Sequence, residues 1–135
     1  MARDARTVAL DFMHIWGGGI AALRQGIDEY FTSATVWENV GLNRLTGKAE
    51  ALAFVDSYHA AHGLDAIHVD IVAVLADARR VMTERVDHLV RADGSAIHST
   101  RIMGVFEIAD GKIVAQRDYF CSDPSPIEPH TLHRR

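Results

Sequence analysis

The sequence has few of the features that define several classes of protein. Of its 135 residues only Cys121 is a cysteine, which excludes an internal disulfide framework. No apolar run approaches the roughly 20 residues of a membrane span, and the charged first residues lack the apolar core of a signal peptide. The net charge of −4 provides no basic surface for nucleic acid or for a membrane. We therefore expect a single-domain cytoplasmic protein that binds neither nucleic acid nor membranes.

Helical patterns fill the first half of the chain. In residues 4–16 apolar side chains recur every three or four positions, which predicts an amphipathic helix. Gly17–Gly19 should end it, because three consecutive glycines lose too much backbone entropy to stay helical. The same apolar spacing predicts a second helix within 20–31 and a third over 47–60, which begins at Thr46-Gly47.

Strand patterns fill the second half. Four β-rich runs follow residue 64, HVDIVAVL, RRVMTERVDHLV, AIHSTRIMGVFEI and KIVAQRDYF, and a short one, TVWENV, precedes the third helix. This order predicts an α+β fold in which helices pack on one face of a curved, mostly antiparallel sheet and leave an apolar pocket. We expect residues 1–121 to form one domain and residues 122–135, which hold all three prolines, to form an irregular tail.

One strand pattern places opposite charges on the predicted core face of the sheet. Successive side chains of a strand point to opposite faces, so Arg85 and Asp87 share a side with Val81 and Leu89. Buried charges are costly unless they are paired, and they often mark functional sites. A guanidinium between two carboxylates can hold both, so that one keeps a proton while the other stays ionised.

Two further strands repeat this alternation. TVWENV places Trp37 and Asn39 on one face, and KIVAQRDYF places Gln116 and Asp118 on one face. If these faces also line the concave side of the sheet, both pairs converge with the charged pair in an otherwise apolar cavity. The sequence then predicts two carboxylates and one arginine arranged for acid–base chemistry.

Each pattern taken alone also has an ordinary explanation. Arg85 and Asp87 could form an ion pair on a solvated face, and Asp118 could be a surface charge near a strand end. Trp37 could belong to the core, and Asn39 could only begin a turn. It is their joint occurrence that favours a functional site.

Metal and cofactor sites are not indicated. The eight histidines contain no HExxH pattern, and His59 and His62 at a helix end are better explained by a structural role. Gly17–Gly19 lacks the strand-then-helix setting of a phosphate-binding loop. We therefore predict neither a metal nor a cofactor.

At these residues the sequence resembles the limonene-1,2-epoxide hydrolase family, within the cone-shaped nuclear transport factor 2-like superfamily. The resemblance runs from about Phe12 to Phe120 and is clearest in VWENVGLNRLTGK, MTERVDHL and GVFEIADGKIVAQRDYF. It implies a one-step hydrolysis of a small apolar epoxide by water, without a covalent intermediate. By analogy with family members it also implies a homodimer.

The resemblance implies a role for each polar residue. Asp118 is the base that takes a proton from water, and Asn39 helps to hold that water. Asp87 is the acid that protonates the epoxide oxygen, and Arg85 bridges the two carboxylates. An epoxide needs both steps, because ring opening leaves an alkoxide and a proton must arrive as the nucleophile attacks. An apolar pocket favours the protonated form of the acid.

The chain departs from the family pattern at two of these positions. Trp37 stands where the family usually has a tyrosine that helps to hold the water, and Gln116 stands where it usually has a tryptophan. We expect Trp37 to replace the tyrosine, because an indole N–H can also donate to water. From matching positions and strand alternation, the predicted substrate-binding residues are Met13, Trp16, Leu89, Ile102 and Gln116.

Two other functions stay open at the level of the sequence. The superfamily includes isomerases of the ketosteroid type, in which an aspartate moves a proton next to a carbonyl. A non-catalytic binder of small apolar ligands is the other possibility, because a fold does not fix a function. The isomerase has no need of the Arg85–Asp87 pair with a water-holding Asn39, and a binder has no need of two bridged carboxylates.

Overall fold

The computed structural model describes residues 3–121, which form three helices packed against a six-stranded sheet. Helices α1, α2 and α3 are Ala5–Ile15, Ile20–Tyr30 and Gly47–His62, and a 3-10 turn at Trp16–Gly18 joins the first two. Strands β1 to β6 are Phe31–Asn39, Asn43–Thr46, Leu64–Ala76, Arg80–Arg91, Ala96–Ala109 and Lys112–Phe120. The predicted α+β fold is confirmed, whereas the predicted tail, 122–135, lies outside the described residues.

The helices begin and end at residues with suitable side chains or backbone freedom. The Asp4 carboxylate accepts a hydrogen bond from the Thr7 backbone N–H at 2.8 Å and caps α1. Between α1 and α2, Gly19 has a φ of 107°, which favours glycine, so the glycine run interrupts the helix as predicted. None of the helices within residues 3–121 is long and apolar enough to cross a membrane.

The sheet is mixed and has the strand order β2-β1-β6-β5-β4-β3. Strand β1 runs parallel to β6, and the other neighbouring strands are antiparallel. The parallel pairing sets Trp37 opposite Gln116 and Asn39 opposite Asp118, so two of the alternating polar pairs lie side by side. The short strand β2, which pairs with β1, was not predicted from the sequence.

The core lies between the helices and the concave face of the sheet. Phe12 is 2% exposed and packs edge-to-face against Trp16, Tyr30 and Phe106, with ring centroids 5.2, 5.6 and 6.3 Å away. Burying one such side chain contributes roughly 1.5–3 kcal/mol, so this aromatic group holds α1 firmly against the sheet. The two layers leave a cavity between them, and Phe12 and Trp16 form part of its wall.

Candidate active site

A cavity of about 330 Å³ opens between the helices and the concave face of the sheet. Its wall is mostly apolar, with aromatic side chains from both layers. The polar side chains that the sheet contributes to the wall are Asn39, Asp87, His98, Thr100, Gln116 and Asp118. A mostly apolar pocket of this size with a few convergent polar groups is typical of a small-molecule site.

Arg85 is the centre of a buried polar cluster at this wall. Its Nε donates to Asp87 Oδ1 at 2.9 Å, and its Nη2 donates to Asp87 Oδ2 at 3.3 Å and to Asp118 Oδ1 at 2.8 Å. Its Nη1 donates to Thr83 Oγ1 at 3.0 Å. Arg85, Asp87 and Asp118 are 1%, 5% and 4% exposed, so the explanation of a solvated surface ion pair is wrong. One guanidinium bridges two buried carboxylates.

The burial of this cluster changes the proton affinity of its members. Removal from water raises the pKa of Asp87 above its ordinary value, and the neighbouring Arg85 guanidinium offsets only part of that rise. For Arg85, burial alone lowers the pKa, but the charges of Asp118 and Asp87 outweigh it, and the pKa is raised. Because a single cation faces two carboxyl groups, the cluster favours the retention of one proton.

Two amide side chains complete the polar wall. Gln116 Nε2 donates to Asp118 Oδ2 at 3.1 Å, so both oxygens of this carboxylate are oriented by donors. Asn39 Nδ2 donates to Asn43 Oδ1 at 2.8 Å. That bond uses the amino group of Asn39 and leaves its carbonyl oxygen as the acceptor on the other side of the amide.

Trp37 forms an aromatic part of the wall next to these amides. Its ring packs edge-to-face on Phe54 and Phe31, with centroids 5.5 and 6.2 Å apart. Its Nε1 is buried and has no hydrogen-bond partner within the part of the chain that the structure describes. An indole N–H only donates, and a buried donor without an acceptor is uncommon in proteins. Trp37 therefore combines an apolar face with an unused donor.

Four of the five predicted substrate-binding residues, Trp16, Leu89, Ile102 and Gln116, line the cavity. Met13 does not. It is 2% exposed, but it lines a more open depression between α1, α2 and β3. Phe12 lines the cavity instead, because residues four apart share a helix face, which brings Phe12 to the side of Trp16. A neighbouring residue is turned by about 100° around the helix axis.

Thr83 and Asn43 belong to the cluster but were missed in the sequence. Thr83 has the same strand alternation as Arg85 and is 1% exposed, so its parity could have indicated it. Asn43 follows a turn at Gly41, and an asparagine in that position is usually interpreted as a further turn residue and not as part of a strand. Within residues 3–121 no group of three or more His, Cys, Asp or Glu has the geometry of a metal site.

Comparisons with known proteins identify the family to which the chain belongs. The family model described as "Limonene-1,2-epoxide hydrolase catalytic domain" matches residues 18–123. The epoxide hydrolase EphG of Mycobacterium tuberculosis is 33% identical over 94 residues, which are 70% of this chain and 60% of EphG. The chain thus spans about 60% of the length of this curated relative.

Solved structures show the same fold. The structure of an M. tuberculosis LEH-like epoxide hydrolase aligns with a TM-score of 0.69 at 27% identity, over 85% of this chain and 76% of that one. An NTF2-like protein from Anabaena variabilis aligns with a TM-score of 0.68 over 91% of this chain and 96% of its own. Its identity of 20% makes this a likeness of fold alone. Because the family model matches residues 18–123, which are well over half of the chain, this chain belongs to the limonene-1,2-epoxide hydrolase family.

Proposed function

We propose that the protein is an epoxide hydrolase that adds water to a small apolar epoxide in one step and releases a vicinal diol. The observation that carries the proposal is the Arg85 guanidinium bridging two buried carboxylates, Asp87 and Asp118, at the wall of an apolar cavity. Family membership supports the same reaction, because the relative EphG is an epoxide hydrolase. Neither an isomerase nor a passive binder requires this bridge.

In the proposed reaction Asp118 is the base. Donors from Arg85 and Gln116 fix the two oxygens of its carboxylate, whose remaining lone pairs can accept a proton from water. Asn39 lies opposite Asp118 in the parallel strand pair, with its carbonyl oxygen oriented by Asn43. A water molecule between them can give one hydrogen to each and keep a lone pair for the ring carbon.

Asp87 is the proposed acid. Its raised pKa supports this role, because the group must hold a proton before it can give one to the epoxide oxygen. As the water oxygen bonds to a ring carbon, the carbon–oxygen bond of the ring breaks and the leaving oxygen takes the Asp87 proton. Asp118 has then gained one proton and Asp87 has lost one. Moving one proton from Asp118 back to Asp87 restores the starting state.

We also propose that the chain pairs as a homodimer through the outer face of the sheet. Met82, Met103 and Tyr119 lie on neighbouring strands of that face and are each about half exposed. An apolar surface of this kind is typical of a protein interface. Sedimentation equilibrium gives the mass, and a monomer at micromolar concentration would contradict the pairing.

A panel of small epoxides in labelled water tests the reaction. In a single turnover in ¹⁸O-water, the first diol formed should already carry the label, because water attacks the ring directly. An unlabelled first product would mean that a carboxylate oxygen attacks and forms a covalent intermediate. The absence of diol from every epoxide in the panel would instead favour the isomerase or the binder.

Trp37 provides a test of the water site. The attacking water gives one hydrogen to Asp118 and one to Asn39, and it can accept one further hydrogen bond. We expect the Trp37 Nε1–H, which is buried and has no other partner in the described residues, to donate that bond. Trp37→Phe keeps an aromatic wall and removes the donor, so kcat/KM should fall about tenfold, which corresponds to one hydrogen bond of about 1.4 kcal/mol. Trp37→Tyr restores a donor and should keep most of the activity. If Trp37→Phe has the kcat/KM of the wild type, Trp37 only packs against its neighbours, and Asn39 and Asp118 alone hold the water.

A further inference from the structure

The Arg85 side chain crosses a whole strand to make its bridge. Arg85 lies on β4 and Asp118 lies on β6, and β5 runs between them. Neighbouring strands are about 4.8 Å apart, so the Arg85 and Asp118 side chains together must span roughly twice that distance over the concave face of β5. The residue of β5 in its path is Gly104, which pairs with Thr83 on one side and with Asp118 on the other.

Gly104 leaves no room for a side chain. A Cβ placed on it would lie 2.1 Å from Arg85 Nη1, 2.8 Å from Asp118 Oδ1 and 3.1 Å from Thr83 Oγ1. Distances below 3.0 Å do not occur for real Cβ atoms, so the guanidinium or the carboxylate would have to move. Arg85 has no exposed side-chain surface and donates to three neighbours, so it cannot swing aside into solvent.

Backbone geometry does not explain the glycine. Gly104 is not among the residues with a positive φ, so other residues could adopt its conformation. Glycine in the interior of a strand weakens the strand, and it often marks a place where another group approaches closely. Here the approaching group is the guanidinium of Arg85.

We propose that Gly104 is a positioning residue whose missing side chain provides the space in which the Arg85 guanidinium reaches both carboxylates. Any larger residue at this position removes that space and breaks the bridge to Asp118. The effect on turnover rests on the proposed hydrolase function, whereas the effect on packing does not.

The first test is the activity of Gly104→Ala. A displacement of about 1 Å in a catalytic group can cost ~10²-fold, so we expect a loss of that order, mainly in kcat, because the methyl group enters the polar cluster and leaves the apolar wall unchanged. Ala109→Gly is the control, since it also exchanges a single methyl group on β5, but at an exposed residue at the end of the strand. A folded Gly104→Ala with wild-type kcat/KM would overturn the proposal.

The pH profile separates positioning from general damage. Arg85 lowers the pKa of Asp87, so moving the guanidinium away should raise that pKa further. The decline of kcat/KM at high pH, where the proposed acid ionises, should therefore shift to higher pH in Gly104→Ala. A profile that is reduced in height without any shift would count against the proposal, because a purely structural defect scales the whole curve.

The second test needs no substrate. In a double-mutant cycle, Gly104→Ala is compared in the wild-type background and in Arg85→Gln, whose shorter side chain leaves the space over Gly104 empty. In the wild-type background Gly104→Ala should lower the urea midpoint, because the methyl group collides with the guanidinium. In the Arg85→Gln background the same change should leave the midpoint level or raise it, because alanine suits a strand better than glycine. An equal fall in both backgrounds would overturn the proposal. Because the cycle measures stability, it still tests the role of Gly104 if the protein hydrolyses no epoxide in the panel.

Discussion

Asp118→Asn and Asp87→Asn should each lower kcat/KM for diol formation at least ~10²-fold, the usual effect of losing a catalytic base or acid. An amide cannot take a proton from water as a carboxylate does, and it is too weak an acid to protonate a leaving alkoxide. Both carboxyl groups are buried against the same guanidinium, so an amide of equal size fits each position. The measurement is steady-state hydrolysis of a reactive epoxide, with the uncatalysed rate subtracted.

Asp70→Asn is the matched control for both variants. Asp70 makes the same kind of side-chain contact with a neighbour, His88, but its side chain is 74% exposed and lies on β3. It should keep wild-type activity. Circular dichroism establishes that each variant is folded. If a folded Asp87→Asn or Asp118→Asn turned over at a near-wild-type rate, the role assigned to that residue would be wrong.

Arg85→Met should lower the free energy of unfolding by about 3–5 kcal/mol, which is typical when one partner of a buried charge cluster is removed. Methionine fills much of the volume of the arginine stem, so the main loss is electrostatic. Asp87 and Asp118 would then share a buried site without a cation. Urea denaturation of the variant and the wild type measures the difference.

The loss should depend on pH in a defined direction. Removing the guanidinium raises the folded-state pKa of Asp87 further above its unfolded value. A raised folded-state pKa contributes stability at low pH that is lost as the pH rises through it, so the deficit of Arg85→Met should be smaller near about pH 5 than near about pH 8. An equal deficit at both would contradict this account.

Arg117→Met is the control for the removal of an arginine. Arg117 pairs with Glu107, but both side chains are about one third exposed, and exposed ion pairs contribute about 1 kcal/mol or less. The urea midpoint of Arg117→Met should therefore be close to that of the wild type. A loss as large as that of Arg85→Met would mean that burial does not distinguish the two arginines.

Strand alternation predicted which side chains of the charged cluster share a face of their strand. The two-residue spacing of Arg85 and Asp87 placed both side chains on one face, and the apolar neighbours on that face indicated the core. The same argument placed Asn39 and Asp118 correctly, although they come from distant parts of the chain. This prediction needs no knowledge of strand pairing, because the direction of a side chain in a strand is set by the local backbone.

Features that depend on pairing could not be predicted in this way. Strand β2 has only four residues and follows a turn, so its sequence carries little strand signal. The need for Gly104 arises from a side chain two residues along a neighbouring strand, Arg85, which sequence spacing does not place there. The choice of Met13 instead of Phe12 was an error in the rotational phase of α1, which only its packing against the sheet fixes.

We expect the parallel pairing of β1 with β6 to determine when a refolding chain gains the proposed activity. Arg85 and Asp87 meet within one strand, but Asn39 and Asp118 meet only when the first and last strands of the described sequence join. Contacts between such distant segments form slowly, because a long loop must close before they contribute any stability. During refolding, helices and hairpins should therefore be recovered before turnover. We therefore expect the proposed base and its water-holding partner to come together late in folding.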